Sequence, residues 1–531
     1  MKAFLKSALA VIMIFVIAIT MFGPELDFSR PSKDNNSTGN NITINGSNGG
    51  VIGGIIVDNN GNIIYYPTTN GGFTEDIMRP SYEEDAYISE MRDYASSYWR
   101  SFNILFSGRS ADSDVIFGEL RDHSIMDSSY ENFYDAANDL NLNLGMTTVA
   151  KELFAQEVRK VIDSGSNEYD IVVPNAKDAV ALAVNGYLYN LNDTYPLFCY
   201  NDKGVATWWD EELINECTLG DNSLYFVTGP ISAGYVCDLS AIVFNRDLFM
   251  ELGFDPDRLE NLVDRGMWSI DTVYQNSNSL YSDYNGNGQK DSDDLIGFVV
   301  DKNDLETLRA GANISYVEKD ANGDFVLGNI GDGKGIQFCE FLYNTFYCQG
   351  AAVFSDGGSN NSNIVVNGSA ELSMKEWRSV FTVGTVGSVI KDELYGFSLL
   401  PLPQYDENQG GYITPYSASG AVYAIPTSVS DVTMSAAYLE ILAIRSGDNH
   451  SEVLEYLVKD YLYNGNSSKM LSYVMENPVL EYAPYLVSKE APEFTTIVYD
   501  AVVNENMSVA STIKKSLSIV QRYLTIINDR Y

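Results

Sequence analysis

Histidine is almost missing from this chain. Only His123 and His450 occur in 531 residues, so zinc clusters and histidine-based triads have almost no material to work with. Cysteine is scarce as well. Five are scattered along the sequence with no CxxC pair, and an odd number cannot all pair internally. Cys339 and Cys348 stand closest. If one helix carries both, they lie roughly 13 Å apart along its axis, too far to bridge. Free, buried cysteine is the expectation. Basic residues are few: 33 Lys and Arg stand against 72 Asp and Glu, for a net charge of -39. Such a chain repels nucleic acid and anionic lipid, so no nucleic-acid partner is expected. A solvated, soluble surface accounts for the acidity. No internal repeat is present.

The apolar fraction is an ordinary 45%, but 531 residues are too many for one core, so two lobes are expected. Long hydrophobic runs are confined to the start. Lys2 and Lys6 precede an apolar stretch from Ala8 to Phe22, which ends at Gly23-Pro24. This is an export signal, and residues 1–24 read equally as a cleaved peptide or a retained anchor. The first cysteine is Cys199, which closes the lipoprotein route. Residues 25–80 are rich in Asn, Gly, Ser and Thr, as in Asn35-Asn36-Ser37-Thr38. They cannot bury enough apolar area to order themselves, so we read a flexible tether, with at most a local strand at Val51–Ile56.

Strands and helices then alternate. Phe102–Phe106 reads as a buried strand running into the Gly108 turn. Tyr130–Asn141 is predicted helical. Val149, Leu153, Phe154, Val158, Val161 and Ile162 fall on one face of a second helix, ended by Ser164-Gly165. Tyr169–Pro174 is the next strand, and a helix follows to Asn185-Gly186. Alternation of this kind predicts an α/β fold with parallel strands covered on both faces.

The stretch Leu224–Ser232, the strand Ala241–Phe244, the turn Asn245-Arg246-Asp247-Leu248 and Gly266-Met267-Trp268-Ser269 follow one another in an order that resembles the extracellular solute-binding proteins of bacterial ABC importers, of the sugar- and oligosaccharide-binding type. The run Tyr169-Asp170-Ile171-Val172 to Asn185-Gly186-Tyr187-Leu188, the stretch Val366–Trp377 and the segment Tyr412–Pro426 resemble the same family. One departure is Ser369, where the family has Lys. The resemblance implies a two-lobed periplasmic-binding-protein-like (type II) fold with a hinge, each lobe a mainly parallel sheet flanked by helices. Lobe 1 would take 87–234 and be completed by about 420–470. Lobe 2 would take 241–412 and be completed by the C-terminal helices to 531. It also implies a monomeric receptor without catalysis, tethered at the cell surface, that passes a small solute to the importer's membrane subunits. No organic cofactor is implied.

In open α/β sheets ligands sit outside the carboxyl ends of the strands. That puts Ser107 and Arg109 after the first strand, and Asn175 and Lys177 after Val173, at the cleft. The resemblance adds Trp377 and Arg378 from the opposite lobe, with Tyr235, Tyr416 and Ser417 at the crossings. Aromatic rings cover the apolar faces of sugars, and Arg, Asn and Asp reach their hydroxyls. Trp208 and Trp209 suit either the groove or the core, whereas Trp268 is expected in the core. A separate acidic loop has EF-type spacing. Asp283, Asn285, Asn287, Asp291 and Asp294 stand at positions 1, 3, 5, 9 and 12, Gly288 takes the turn at 6, and Gln289 offers its carbonyl. The loop suits a structural calcium ion or, failing that, a polar Asn-Gly turn. An exported carbohydrate-active enzyme working through two carboxylates and a non-transport surface sensory or adhesion module are the competing classes.

Overall fold

The computed structural model describes most of residues 84–528 and short strand segments before them; it leaves out chiefly 1–50, 66–83, 109–123, 355–373, 448–464 and 482–495, with a few shorter stretches. The signal segment and most of the tether therefore lie outside the described residues. The chain divides into two units, Met1–Ile63 and Ile64–Tyr531. In the first, Val51–Ile52 pairs antiparallel with Ile55–Val57. Everything below concerns the second.

Its first lobe is built on three parallel strands, β1 (Arg100–Gly108), β2 (Leu142–Ala150) and β3 (Ile171–Val173), in the order β2-β1-β3. Ile104, Leu105 and Phe106 are consecutive and all buried, as a strand covered on both faces requires. Helix 151–163 buries Phe154, Val158 and Val161, spaced at i, i+4 and i+7. Leu153 departs from the expected face and is 54% exposed. The helix stops at Ser164, and Gly165 follows with φ +69, a conformation that suits glycine. β2 is not announced by the sequence pattern, which runs one helix to Asn141 and starts the next at Val149.

The chain leaves this lobe and later returns to it. Residues 421–424 bridge Asn175 and Val172 antiparallel, extending the sheet past β3. Helix Val432–Arg445 then packs on helix Ser124–Asp139. Tyr438 Oη donates to the Phe133 carbonyl at 3.0 Å, and Arg445 pairs with the buried Asp139 at 2.7 Å.

The second lobe carries β4 (Ser240–Asn245), β5 (Ile296–Val300), β6 (Ala352–Phe354), β7 (Ser379–Thr385) and β8 (Phe397–Leu400), in the order β6-β5-β7-β4-β8. β5 is parallel to β6 and β7, while β4 is antiparallel to β7 and β8. Only β4, the strand that brings the chain in from the first lobe, runs against the rest. Asn245 ends β4 and caps the next helix, its side chain accepting from Leu248 N at 2.9 Å. Gly297 lets helix Ile270–Ser279 lie on β5, because a Cβ there would stand 2.0 Å from the Ser277 carbonyl oxygen. Trp268 is fully buried, as expected, and its Nε1 donates to the Pro401 carbonyl at 2.9 Å. Helix Gly333–Phe341 continues as a π-helix to Cys348. Cys339 is buried and Cys348 exposed, and both are free. Helix Val509–Asn528 closes the lobe, with Asn528 exchanging two hydrogen bonds with Phe325. No helix among the described residues is long and apolar enough to cross a membrane.

Candidate ligand cleft

Three chain segments cross between the lobes side by side. Leu239 of the first bridges Tyr416 of the second antiparallel, and Val227 bridges Tyr423. The third, Pro478–Val479, lies parallel to Thr414–Pro415. Tyr416 binds them together. Its N–H donates to the Val479 carbonyl at 2.8 Å and its hydroxyl to the Ala421 carbonyl at 2.9 Å. Its ring stacks on Tyr235, with centroids 5.4 Å apart. Gly420 makes room for that ring, since a Cβ there would fall 2.3 Å from it. Both tyrosines are buried, and burial first of all pushes the Tyr235 phenol well above its usual range. The pair forms the hinge core, each ring covering one face of the other.

Beside these strands lies a cavity of about 390 Å³, open between the lobes. The first lobe contributes Lys177, the second crossing contributes Tyr416–Ser419, and the second lobe contributes Ser240, Asn303–Asp304, Thr307 and Gly384–Thr385. It sits at the carboxyl ends of β3, β5 and β7, where open sheets bind ligands. Its lining is rich in hydroxyls, from Ser240, Thr307, Thr385, Ser417 and Ser419. These groups both donate and accept.

The floor is fixed by a buried charge network. Arg309 is 1% exposed. Its guanidinium meets Glu481 through Nη1 at 2.9 Å and through Nη2, donates from Nε to Glu306 at 3.2 Å, and lies 4.1 Å over the Tyr316 ring. Glu306 also accepts from Val498 N at 3.0 Å and from the Tyr316 hydroxyl. Burial raises the Glu306 pKa, and the charge of Arg309 opposes that shift. Glu481 follows the third crossing directly, so the network ties that strand to the second lobe.

The predicted residues divide. Lys177, Tyr416 and Ser417 line the cavity. Asn175 stands beside it, bridged to Ala421, but its side chain caps helix 176–184 by accepting from Asp178 N at 2.9 Å. Ser107 is at the carboxyl end of β1, 8% exposed, and its hydroxyl has no hydrogen-bond partner among the described residues. Arg109 lies outside the described residues. Three positions are corrected. Trp208 belongs to the first-lobe core: its indole packs 5.4 Å from Tyr87 and donates, together with Trp209, to the buried Glu440. Trp377 and Arg378 precede β7, whose other end, Gly384–Thr385, reaches the cavity. Seven residues of strand span roughly 23 Å, so both stand at the far end of the lobe. There Arg378 lies 3.8 Å from Asp293, and Trp377 is 38% exposed with φ +59, an outlier for an aromatic residue. The sequence reading missed Arg309, Glu481 and the 303–307 turn. An Asp304–Arg309 pattern opening a helix after β5 was a signal that could have found the first of these.

The acidic loop lies at that same far end, just before β5. The Asp283 carboxylate accepts from Gly286 N at 2.6 Å and Gly288 N at 2.8 Å, and both glycines have positive φ. Asn285 Oδ1 accepts from Asn287 N at 2.9 Å. Asp294 is fully buried and accepts from Tyr284 N and from the Tyr281 hydroxyl, each at 3.1 Å. Gln289 and Asp291 lie outside the described residues.

No protein-family model matches the chain, and no curated protein matches it by sequence. Solved structures do match it by shape. An ABC substrate-binding protein of Listeria monocytogenes in complex with cycloalternan superposes with a TM-score of 0.54 at 11% identity, over 81% of this chain and 100% of that one. The GacH receptor of Streptomyces glaucescens, solved unliganded and with acarbose and a homologue of it, gives 0.53 at 11% identity, over 81% and 99%. UgpB of Mycobacterium tuberculosis, in complex with glycerophosphocholine, gives 0.52 at 15% identity, over 82% and 99%. The fold is therefore that of the two-lobed solute-binding proteins.

Proposed function

We propose that the chain is an extracellular solute-binding receptor that captures a carbohydrate or oligosaccharide between its lobes and hands it to an ABC importer. The observation that carries this reading is the hydroxyl-lined cavity of about 390 Å³ at the strand ends of both lobes, beside three hinge crossings. A ligand there touches both lobes and so favours their closed arrangement. The saccharide complexes among the shape neighbours support the ligand class. Binding without chemical change is the role the reading assigns. The Asn/Gly/Ser-rich segment before Thr74 would act as a tether after the export signal, and the receptor would work as a monomer. The far loop of lobe 2 would hold a structural calcium through Asp283, Asn285, Asn287, Gln289, Asp291 and Asp294. That part of the reading rests on the spacing and on the two positive-φ glycines that shape the turn.

A thermal-shift screen of saccharides, peptides and polyamines tests the proposal. A ligand at about a hundred times its Kd adds about 2.7 kcal/mol of stability. Stabilisation by saccharides and by neither other class is expected. Stabilisation by peptides or polyamines alone would overturn the carbohydrate assignment.

A further inference from the structure

A side chain joins the lobes away from the three crossings. Lys319 ends the first strand of a second-lobe hairpin, Val317–Lys319 paired with Phe325–Leu327. Asn528 of the closing helix holds that hairpin at Phe325. The lysine reaches out of its lobe. Its Nζ donates to the Asn215 carbonyl at 3.3 Å and to the Thr218 carbonyl. These carbonyls belong to the end of helix Glu211–Cys217, for which Thr218 is the C-cap. That helix follows Trp208 and Trp209 of the first-lobe core, and Leu224, paired with Thr218, donates from its N–H to Asn190 Oδ1 at 3.0 Å. The last carbonyls of a helix have no partner within it, and a lysine is a suitable donor to them. Here the donor comes from the other lobe.

The contact completes a ring of ties around a second cavity, of about 400 Å³. The first lobe lines it with Glu216, the crossings with Ile413 and Val479–Glu481, and the second lobe with Asn313–Lys319. Glu216 accepts from Leu480 N at 3.1 Å, and Glu481 is paired with Arg309. Lys319 then returns from the second lobe to the helix that carries Glu216. The lobes are thus fastened at this flank by a route that the chain itself does not take. Desolvation pushes the Lys319 pKa down, and the charge of Glu216 opposes that shift, which puts the ammonium among protein groups rather than in open water. The residue as a whole is exposed, so water can replace the contact and the tie is reversible.

We infer that Lys319 is a strap that restrains the lobes at the flank of the third crossing. Strands that cross side by side leave the lobes free to bend and twist about them. A cation of one lobe seated on the carbonyls of the other limits that freedom, through charge-assisted bonds that are stronger than neutral ones. Lobe closure in folds of this kind is a rotation absorbed by a few residues. The strap therefore sets the range over which the lobes move by themselves.

The test measures the distance between the lobes in the full-length protein with no ligand added. Ketone-bearing residues placed at Leu153 of the first lobe and Met250 of the second, both exposed, take spin labels without touching the free cysteines. Pulsed dipolar spectroscopy then reads the distribution of distances between them. Without the strap the lobes sample more arrangements, and Lys319→Ala is expected to broaden the distribution about 1.5-fold. Lys319→Met keeps the apolar stem and loses the charge, and it should broaden the distribution equally. Lys319→Arg still offers donors to the two carbonyls and should keep the wild-type width. A distribution unchanged in both Lys319→Ala and Lys319→Met would overturn the strap. A lower melting temperature alongside that unchanged distribution would make Lys319 a local cap of helix 211–217 and overturn it equally. No ligand enters the measurement, so either result leaves the receptor reading to the saccharide screen.

Discussion

Replacing Arg309 by methionine should be among the most damaging single changes at the hinge. Methionine keeps much of the length and apolar bulk but removes every donor. Arg309 is 1% exposed and serves Glu481, Glu306 and the Ile314 carbonyl at once. Without it, two carboxylates remain in a confined space with no counter-charge. Breaking a buried pair by removing one partner costs about 3–5 kcal/mol. Glu481 is part-exposed, at 28%, so water takes up some of its charge and the lower half of that range is expected. The loss should also depend on pH. Burial already raises the Glu306 pKa above its unfolded value, with Arg309 opposing the shift. A raised carboxyl contributes stability that is fully present below the unfolded pKa and is lost as pH rises through the folded one. Removing Arg309 raises that pKa further, so the deficit of Arg309→Met should be largest near neutral pH and shrink as pH falls toward the ordinary carboxylate range. Urea unfolding at several pH values, read by linear extrapolation, gives both numbers. A deficit under 1 kcal/mol at neutral pH, or one that grows on acidification, would refute the account of the network.

Three further outcomes are expected. Calcium should raise the melting temperature, and Asp283→Ala should abolish the rise; identical melting curves in calcium and in chelator would remove the ion from the account. Trp377→Ala should leave ligand affinity unchanged, because the residue stands at the far end of β7, and Trp377→Gly should hold or gain up to about 1 kcal/mol by relieving the positive φ. A tenfold loss of affinity in Trp377→Ala would return it to the cleft. Asp170 is pushed up to about 6, first by burial, against the opposing bond from Asn103 N and the charge of Arg100. It therefore stabilises most below about pH 4 and loses that contribution as pH rises toward 6. Asp170→Asn should gain about 1–3 kcal/mol at pH 7 and flatten the stability profile between pH 4 and 6, as followed by urea unfolding.

Much of the architecture was legible because it depends on periodicity and order. Short apolar runs at Ile104–Phe106 and Ile171–Val173, bounded by the turn residues Gly108 and Pro174, read as strands covered on both faces, and the Asn245 cap is readable as a turn before a helix. β2 was not legible. It is an edge strand whose burial is patchy, with Gly145, Thr147 and Thr148 in its middle, so no alternation marks it. In lobe 1, strand ends alone led to Lys177, which lines the cavity, and to Asn175, which caps the neighbouring helix instead. The lobe 2 half of the site was not legible. Trp377 looked like a groove aromatic because its neighbours in sequence resemble such a stretch, yet which end of β7 faces the cleft is set by the sheet, and β5 pairing in parallel with β7 puts Ser379 beside Ile296 at the far end. Trp208 carried no sign of Glu440, its partner 232 residues away. Arg309 and Glu481, 172 residues apart, meet only once the third crossing is in place.

Small-angle scattering of the protein with and without a saturating saccharide tests the central claim most directly. If the chain is a receptor whose two lobes close on a sugar in the cavity beside Tyr416, the radius of gyration falls on saturation, and the fall is lost together with binding in Lys177→Glu. A saccharide that binds with the expected stoichiometry and leaves the scattering curve unchanged would contradict it.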